Sequence, residues 1–369
     1  MERKVCVICD SNNLNVEIHL KDYPIRFIAS HDLSEPDISI DHILLGCREC
    51  GCVQLKNLID PKLLYNTPHN SPTSNVWKTH HELFANFIYN NLSKDNNYIV
   101  FEIGGSSGVL AEKLNNYKNI KYNIFDICEH NPNIPNVDFV CGNCETYNFP
   151  EDSIIVMSHV FEHLYEPRKF LENAQKNKIH DIFISIPNQT LQMKNNIHPV
   201  LYQEHTYLGE LNDIEYIFSK YNYEMKSYYE YSIHALLCHF TLTNKELNIT
   251  LKKDISRIEF IKNQYEEKFK ITNNLDIPEK FFIIPACFSG QLIYHNIKQE
   301  YKNNLLGFLD NDTTKTGHRF YGTSKYIYRM EEVYNHKGSL KILIHKGAYV
   351  NEIVKQLISY KSDIDFVYI

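Results

Sequence analysis

The chain has 369 residues, 38 Lys and Arg against 45 Asp and Glu, a formal net charge of −7, and 43% hydrophobic residues. That apolar share suffices for packed cores and excludes global disorder, and the length predicts two or three domains of about 100–200 residues each. The mild negative charge, with no block of Lys and Arg, argues against nucleic-acid backbones and anionic membranes as partners. Met1-Glu-Arg-Lys-Val-Cys6 lacks the apolar stretch of about 7–15 residues that a signal peptide carries. The longest apolar run, Phe281 to Phe288, contains Pro285 and falls far short of the roughly 20 residues of a membrane helix. A soluble cytoplasmic protein is expected, in which cysteines are reduced thiols or metal ligands.

Four of the 10 cysteines form two early pairs, Cys6-Val-Ile-Cys9 and Cys47-Arg-Glu-Cys50. A two-residue gap lets both sulfurs of a pair reach one ion, so two such pairs fit tetrahedral thiolate coordination of zinc. Gly51 allows the tight turn after the second pair. The pairs lie 47 − 9 = 38 positions apart, which predicts a small β-rich insert between them. No further ligand or base accompanies them, so the expected zinc is structural, in an N-terminal zinc ribbon. Cys141-Gly-Asn-Cys144 has no second pair and is not expected to hold metal. Cys52, Cys128, Cys141, Cys144, Cys238 and Cys287 receive no role.

From about residue 98 strands and helices alternate. Tyr98–Ile103 reads as a short apolar strand, Gly104-Gly-Ser-Ser-Gly108 as a glycine turn, and Val109–Leu114 as the start of a helix. Strand, glycine turn and helix open a doubly wound α/β domain. A second strand, Lys121–Phe125, ends on Asp126, 126 − 104 = 22 positions after the first glycine. A carboxylate about 20 residues past such a turn is placed to accept hydrogen bonds from ribose hydroxyls. Further strands are expected near Val137–Val140, Ser153–Met157 and Asp181–Ile186, with a helix from Glu166 to Asn177 before the last. In Leu251–Ile271, the residues Ile255, Ile258, Ile261, Tyr265 and Phe269 recur at helical spacing, which predicts an amphipathic linker helix.

The spacing Glu102-x-Gly104-x-x-x-Gly108 resembles the first motif of the class I methyltransferases, which bind S-adenosylmethionine (SAM). The resemblance implies that Glu102, Gly104, Gly105 and Gly108 hold the methionine portion and Asp126 the ribose. It places Asn143, Cys144 or Glu145 near the adenine. Ser158-His-Val-Phe-Glu-His-Leu-Tyr-Glu-Pro167 resembles the stretch after the fourth strand in many SAM enzymes. Together with the cysteine pairs and Tyr202-Gln-Glu-His205, it resembles bacterial sugar C-methyltransferases that act on nucleotide-linked 4-keto deoxysugars. The resemblance covers nearly the whole chain. It includes Leu305–Asp312, Lys315-Thr-Gly317 and Tyr321-Gly-Thr323 of the family's last α/β domain.

That resemblance implies a class I SAM methyltransferase sheet flanked by an N-terminal zinc ribbon and a C-terminal Rossmann-like α/β domain. The expected boundaries are 1–64, 65–248 and 249–369. Its chemistry implies a base that removes the proton beside a keto group, so that the enolate attacks the SAM methyl. In the family the His matching His205 is the leading candidate for that base, with Tyr202 as proton donor or orienter and Glu204 orienting the ring or holding a substrate hydroxyl. His163 and Tyr65 match further pocket residues. His159 competes with His163 for the pocket, and His198 and Tyr207 flank the motif. The segments Asn196–Leu201, Ser232–Cys238, Cys287–Gly290 and Ile344–Val350 depart from the family pattern. Those departures leave open the sugar, the nucleotide, and carbon or oxygen as acceptor. An O-methyltransferase on a nucleotide sugar or glycan precursor, and a non-catalytic sugar-nucleotide binding protein, are the alternatives. The expected partners are a small nucleotide sugar and, at most, a second copy in a weak homodimer, with no nucleic acid or membrane.

Overall fold

Seven runs in the middle of the chain pair into one sheet: β1 Tyr98–Ile103, β2 Ile120–Asp126, β3 Val137–Cys141, β4 Ile154–Ser158, β5 Asp181–Ile186, β6 Tyr223–Tyr231 and β7 Ala235–Leu242. The structure is a computed structural model that describes residues 1–369 apart from 28, 31–35, 66–74, 116, 118, 130, 196–200, 278, 348 and 349. The strand order is β6-β7-β5-β4-β1-β2-β3. Strands β1 to β5 are parallel, with Val100 opposite both Tyr122 and Ile154, while β7 runs antiparallel to β5 and to β6. A parallel sheet covered on both faces requires apolar residues on both sides of a strand. Phe101, Ile155 and Ile184 face one core and Val100, Val156 and Phe183 the other. This is a doubly wound α/β sheet, and the order reverses between β1 and β4, where open α/β sheets bind ligands.

The chain divides into two units, the first made of Met1–Val16, Leu44–Gln192 and Glu204–Arg257, the second of Glu17–Ile43, Met193–Gln203 and Ile258–Ile369. These cuts differ from boundaries at 64/65 and 248/249. The cysteine pairs are the reason at the first boundary. Cys6, Cys47 and Cys50 belong to the same apolar core as Phe170, Leu171 and Phe218 of the sheet's cover. Arginines seal the arrangement: Arg168 donates to the carbonyls of Val7 and Ile8 and pairs with Asp10, and Arg257 donates to Cys50 O while paired with buried Asp213. Gly51 sits at φ +86°, and a Cβ there would stand 1.9 Å from Asp254 O, so only glycine fits.

In the second unit five parallel strands follow the order Ile327–Tyr328, Leu305–Leu309, Phe281–Ile284, Leu340–Ile344, Ile364–Tyr368. It also takes residues from the insert between the cysteine pairs. Ala29–Ser30 pairs antiparallel with Arg319–Phe320, Arg319 forms an ion pair with Asp37, and Ile38 N donates to Tyr321 Oη at 2.6 Å. Lys315 Nζ stands 3.0 Å from Asp310 Oδ2, just past the Leu305–Leu309 strand. The linker helix spans Ser256–Asn273 with Ile258 and Ile261 buried; the side chain of Phe269 lies outside the described residues, as do residues 196–200 with His198. Among the described residues no helix is long and apolar enough to cross a membrane.

Candidate active site

Four strand ends converge on a cavity of about 460 Å³ in the first unit. β1 delivers Glu102 and the glycine turn. A Cβ on Gly105 would stand 3.1 Å from the Glu102 carboxyl carbon and 2.9 Å from Ile124 Cγ2, so the turn can lie on that carboxyl only as glycine. Gly108, at φ +76°, starts the helix Val109–Leu114. β2 delivers Asp126, whose Oδ2 accepts from Ser106 N at 3.1 Å and Oδ1 from Cys128 N at 2.9 Å. Two backbone amides thus fix the carboxylate against the turn, and its remaining lone pairs stay available to a ligand hydroxyl.

After β3, Asn143, Cys144 and Glu145 all line the cavity. Glu145 Oε1 accepts from the amides of Tyr165 at 2.6 Å and Glu166 at 2.8 Å, ahead of the helix Pro167–Lys176. Its first task is therefore to hold the turn after β4, in the position where the dipole of that helix favours an anion. Cys141 is exposed and Cys144 buried, and the pair is not among the metal-competent groups found in the described residues.

β4 delivers His159 and the short 3₁₀ turn Phe161–His163. His159 stands in the left-handed region at φ +54°, with its amide donating to Ser185 O at 2.7 Å. Tyr65 Oη lies 3.4 Å from His163 Nδ1, and the His163 and His205 rings are 5.1 Å apart between centroids. Tyr65, His163, Glu204 and His205 all line the cavity together with Glu102, Gly104, Gly105 and Asp126. Residues read from sequence positions 140 apart (205 − 65) thus share one wall.

The segment carrying His205 is held on both sides. Thr206 N donates to Glu162 O at 3.0 Å, Thr206 Oγ1 to Leu164 O at 2.7 Å, and Tyr207 Oη to Phe161 O at 3.0 Å. Tyr207 and Leu208 pair with Gln54 and Val53, one turn away from the second cysteine pair. Tyr207, a weak candidate in the sequence, is therefore a buried brace. Tyr202 is not among the lining residues: its ring sits in the second unit, 4.4 Å from Phe288 and 5.8 Å from Phe27. Aromatic packing governs its placement.

Sequence reasoning missed two residues here. Arg3 is buried and donates to the carbonyls of Leu164, Tyr165 and Thr206 and to Thr206 Oγ1, tying the first residues of the chain to the turn and to the His205 segment. Nothing local marks it. Glu162 is buried with neither carboxyl oxygen hydrogen-bonded, 3.7 Å from His159 Nδ1 and 3.9 Å from His163 Nε2. Burial pushes its carboxyl up to about 8. Its place between two histidines of the post-β4 stretch was the available signal.

No family model and no curated protein sequence matches the chain. Among solved structures it is similar to the Burkholderia thailandensis 1,6-didemethyltoxoflavin-N1-methyltransferase with bound 1,6-didemethyltoxoflavin and S-adenosylhomocysteine, at 10% identity and a TM-score of 0.34 over 48% of this chain and 95% of that one. It is also similar to the Synechocystis magnesium protoporphyrin IX methyltransferase with bound S-adenosylhomocysteine, at 12% identity and a TM-score of 0.37 over 47% of this chain and 90% of that one. The likeness is one of fold.

The cavity carboxyl on β1 has a measurable consequence. Burial pushes Glu102 up to about 7, against the hydrogen bond that Tyr122 Oη donates to its Oε2 at 3.0 Å. Below about pH 4.5 folded and unfolded chains both carry this proton; above it the unfolded chain loses the proton first. The folded state then binds more protons, so stability falls as pH rises from about 4.5 to about 7, by at most about 1.4 kcal/mol per pH unit. Glu102→Gln, which keeps an oxygen for Tyr122, is expected to flatten this slope in the ligand-free protein and to be up to about 3 kcal/mol more stable than wild type at pH 7. Urea unfolding at pH 5 and pH 7 measures it; an unchanged slope in the variant counts against a protonated Glu102.

Proposed function

We propose that the chain is a SAM-dependent methyltransferase that adds a methyl to the carbon beside the keto group of a nucleotide-linked keto-deoxysugar. The observation that carries the reading is the single cavity wall on which the glycine turn, Glu102 and Asp126 meet Tyr65, His163, Glu204 and His205. The cofactor half fits SAM: the open turn, made by glycines that a Cβ would obstruct, leaves room for the methionine portion, Glu102 lies beneath it, and Asp126 offers lone pairs to ribose hydroxyls. A methionine ammonium beside Glu102 would favour the ionised carboxylate and so reverse the burial effect on that group. Asn143 and Cys144 are the remaining candidates for the adenine edge.

Bound SAM would supply an electrophilic methyl. His205 is assigned as the base that takes the acceptor's proton, because an imidazole titrates near neutral pH without a large shift. Glu204 orients that ring or holds a substrate hydroxyl, and the Tyr65–His163 pair faces the same space with a hydroxyl and an imidazole that can donate to a developing enolate oxygen. Tyr202 belongs to this mechanism only if the second unit brings substrate to it.

The cysteine pairs fit a structural zinc. Cys6 and Cys50 Sγ are 3.6 Å apart, as are Cys9 and Cys47 Sγ, and all four sulfurs lie within 4.8 Å of one another. Four thiolates at about 2.3 Å from one zinc stand about 3.8 Å apart in a tetrahedron. The set is closed and largely buried, which suits a structural ion.

The function is tested by incubating the protein with a 4-keto sugar nucleotide in deuterated water without SAM. Deuterium is expected to wash in at C3, and added methyl-labelled SAM to give a product with a carbon-bound methyl signal. A methoxy signal would move the acceptor to oxygen, and no SAM binding by calorimetry would remove methyl transfer altogether.

A further inference from the structure

Three histidines that the methyl-transfer reading leaves without a role meet beside the cavity wall. His80 comes from the helix Asn75–Asn91, His159 from the end of β4, and His234 from the turn between β6 and β7. Their ring centroids are 5.0 Å (His80–His159), 5.0 Å (His80–His234) and 5.2 Å (His159–His234) apart. One ring nitrogen of each lies within 4.8 Å of one from each of the others. Three imidazoles bound to one ion at about 2.0–2.1 Å place their centroids about 3.2 Å from it, and hence about 5.2 Å from each other in a tetrahedral arrangement. Aromatic packing alone gives centroid separations of about 4.5–7 Å, so spacing by itself does not decide.

The nitrogens decide. Nδ1 of His80, Nε2 of His159 and Nε2 of His234 are all buried without a hydrogen-bond partner. The opposite nitrogens of the first two rings face oxygens, as those of ligating histidines do: His80 Nε2 stands 3.1 Å from Ser158 Oγ and 3.4 Å from Ser185 Oγ, and His159 Nδ1 stands 3.7 Å from Glu162 Oε1. His159 also holds its left-handed backbone, a conformation that persists where the surroundings over-determine it.

We propose that His80, His159 and His234 form a site for a borderline divalent transition-metal ion such as Zn²⁺, separate from the four-cysteine site. Three neutral imidazoles suit such ions, and a three-histidine set leaves one coordination position for water or an oxygen of a bound acceptor. Trp77, which lines the cavity, stands 5.3 Å from His80, 4.8 Å from His159 and 4.6 Å from His234 between centroids. His159 lines the cavity too, so the ion would sit at its wall.

Trp77 is the chain's single tryptophan, which makes the site readable. The full chain, with zinc retained on its cysteines and loosely held metal removed by dialysis, is titrated with CoCl₂ while tryptophan emission is recorded; any cobalt entering the cysteine site is read separately from its thiolate absorption. Saturable quenching that excess Zn²⁺ reverses is expected, with the half-quenching concentration raised at least about a hundredfold in His80→Asn and in His234→Asn. Emission unchanged up to millimolar cobalt overturns the proposal, as does equal quenching in wild type and His234→Asn. Quenching lost in His205→Asn but kept in His234→Asn also overturns it, because the ion would then sit on Glu162, His163 and His205. Should His80→Asn fail to fold, His234→Asn, in the turn between β6 and β7, and the wild-type titration decide alone.

Discussion

His205→Asn is expected to lower methyl transfer at least about a hundredfold while leaving SAM affinity within about twofold of wild type. Asn fills much of the same space and keeps hydrogen-bonding capacity, but it cannot take a proton. The backbone that carries residue 205 is held through Thr206 and Tyr207, so the cofactor loops on β1 and β2 should stay in place. Deuterium wash-in at the acceptor carbon should fall with turnover, because both need the same base. His163→Asn separates the two neighbouring rings, 5.1 Å apart. If turnover and wash-in collapse there and survive in His205→Asn, His163 is the base and the assignment of His205 fails. Single-turnover transfer of a labelled methyl, with calorimetry for SAM, makes the comparison.

Cys47→Ser is expected to abolish stable folding of the first unit. Structural zinc in small sites contributes about 10–16 kcal/mol of folding free energy, which equals or exceeds the roughly 5–15 kcal/mol net stability of a whole domain. Here the loss is not confined to an appendage. Cys6, Cys47, Cys50 and Cys52 share one apolar core with Phe161, Phe170 and Phe218, and the unoccupied thiol cluster would leave buried polar groups beside them. Loss of zinc by elemental analysis should come with loss of a cooperative melt and of SAM binding. A variant that loses its zinc yet melts like wild type would reduce the four cysteines to a local ornament.

Four of the first five strands were legible because they are largely buried on both faces; Val137–Cys141, at the sheet's edge, is only partly buried. Runs such as Ile154–Met157 and Ile182–Ile184 are apolar without interruption, and Pro187-Asn188 marks the end of the strand Asp181–Ile186. The antiparallel pair β6 and β7 was harder: Tyr223–Tyr231 is exposed along much of its length, and its tyrosines and glutamates carry no buried stripe. Site residues adjacent to a strand end, such as Glu102 and Asp126, followed from spacing. Tyr65, Glu204 and His205 rested on resemblance, since nothing local says that they meet. Glu162 had a local signal, its place between His159 and His163, whereas Arg3 and the histidine triad were invisible for a physical reason: each acquires its role from partners far along the chain, such as Ser158 and Ser185 for His80. The unit boundaries escaped for the same reason, because Leu14–Pro24 and Ser39–Cys47 each cross from one unit to the other within a single strand.

The link from Arg3 to Thr206 spans 203 positions of sequence, and this has a temporal side. A ribosome adding about 5–20 residues per second makes the third residue roughly 10–40 s before its partner. For most of that interval the first cysteine pair has been made, while the strand Tyr207–Leu208 does not yet exist. The link between Arg3 and Thr206 can therefore form only after more than half of the chain has been made.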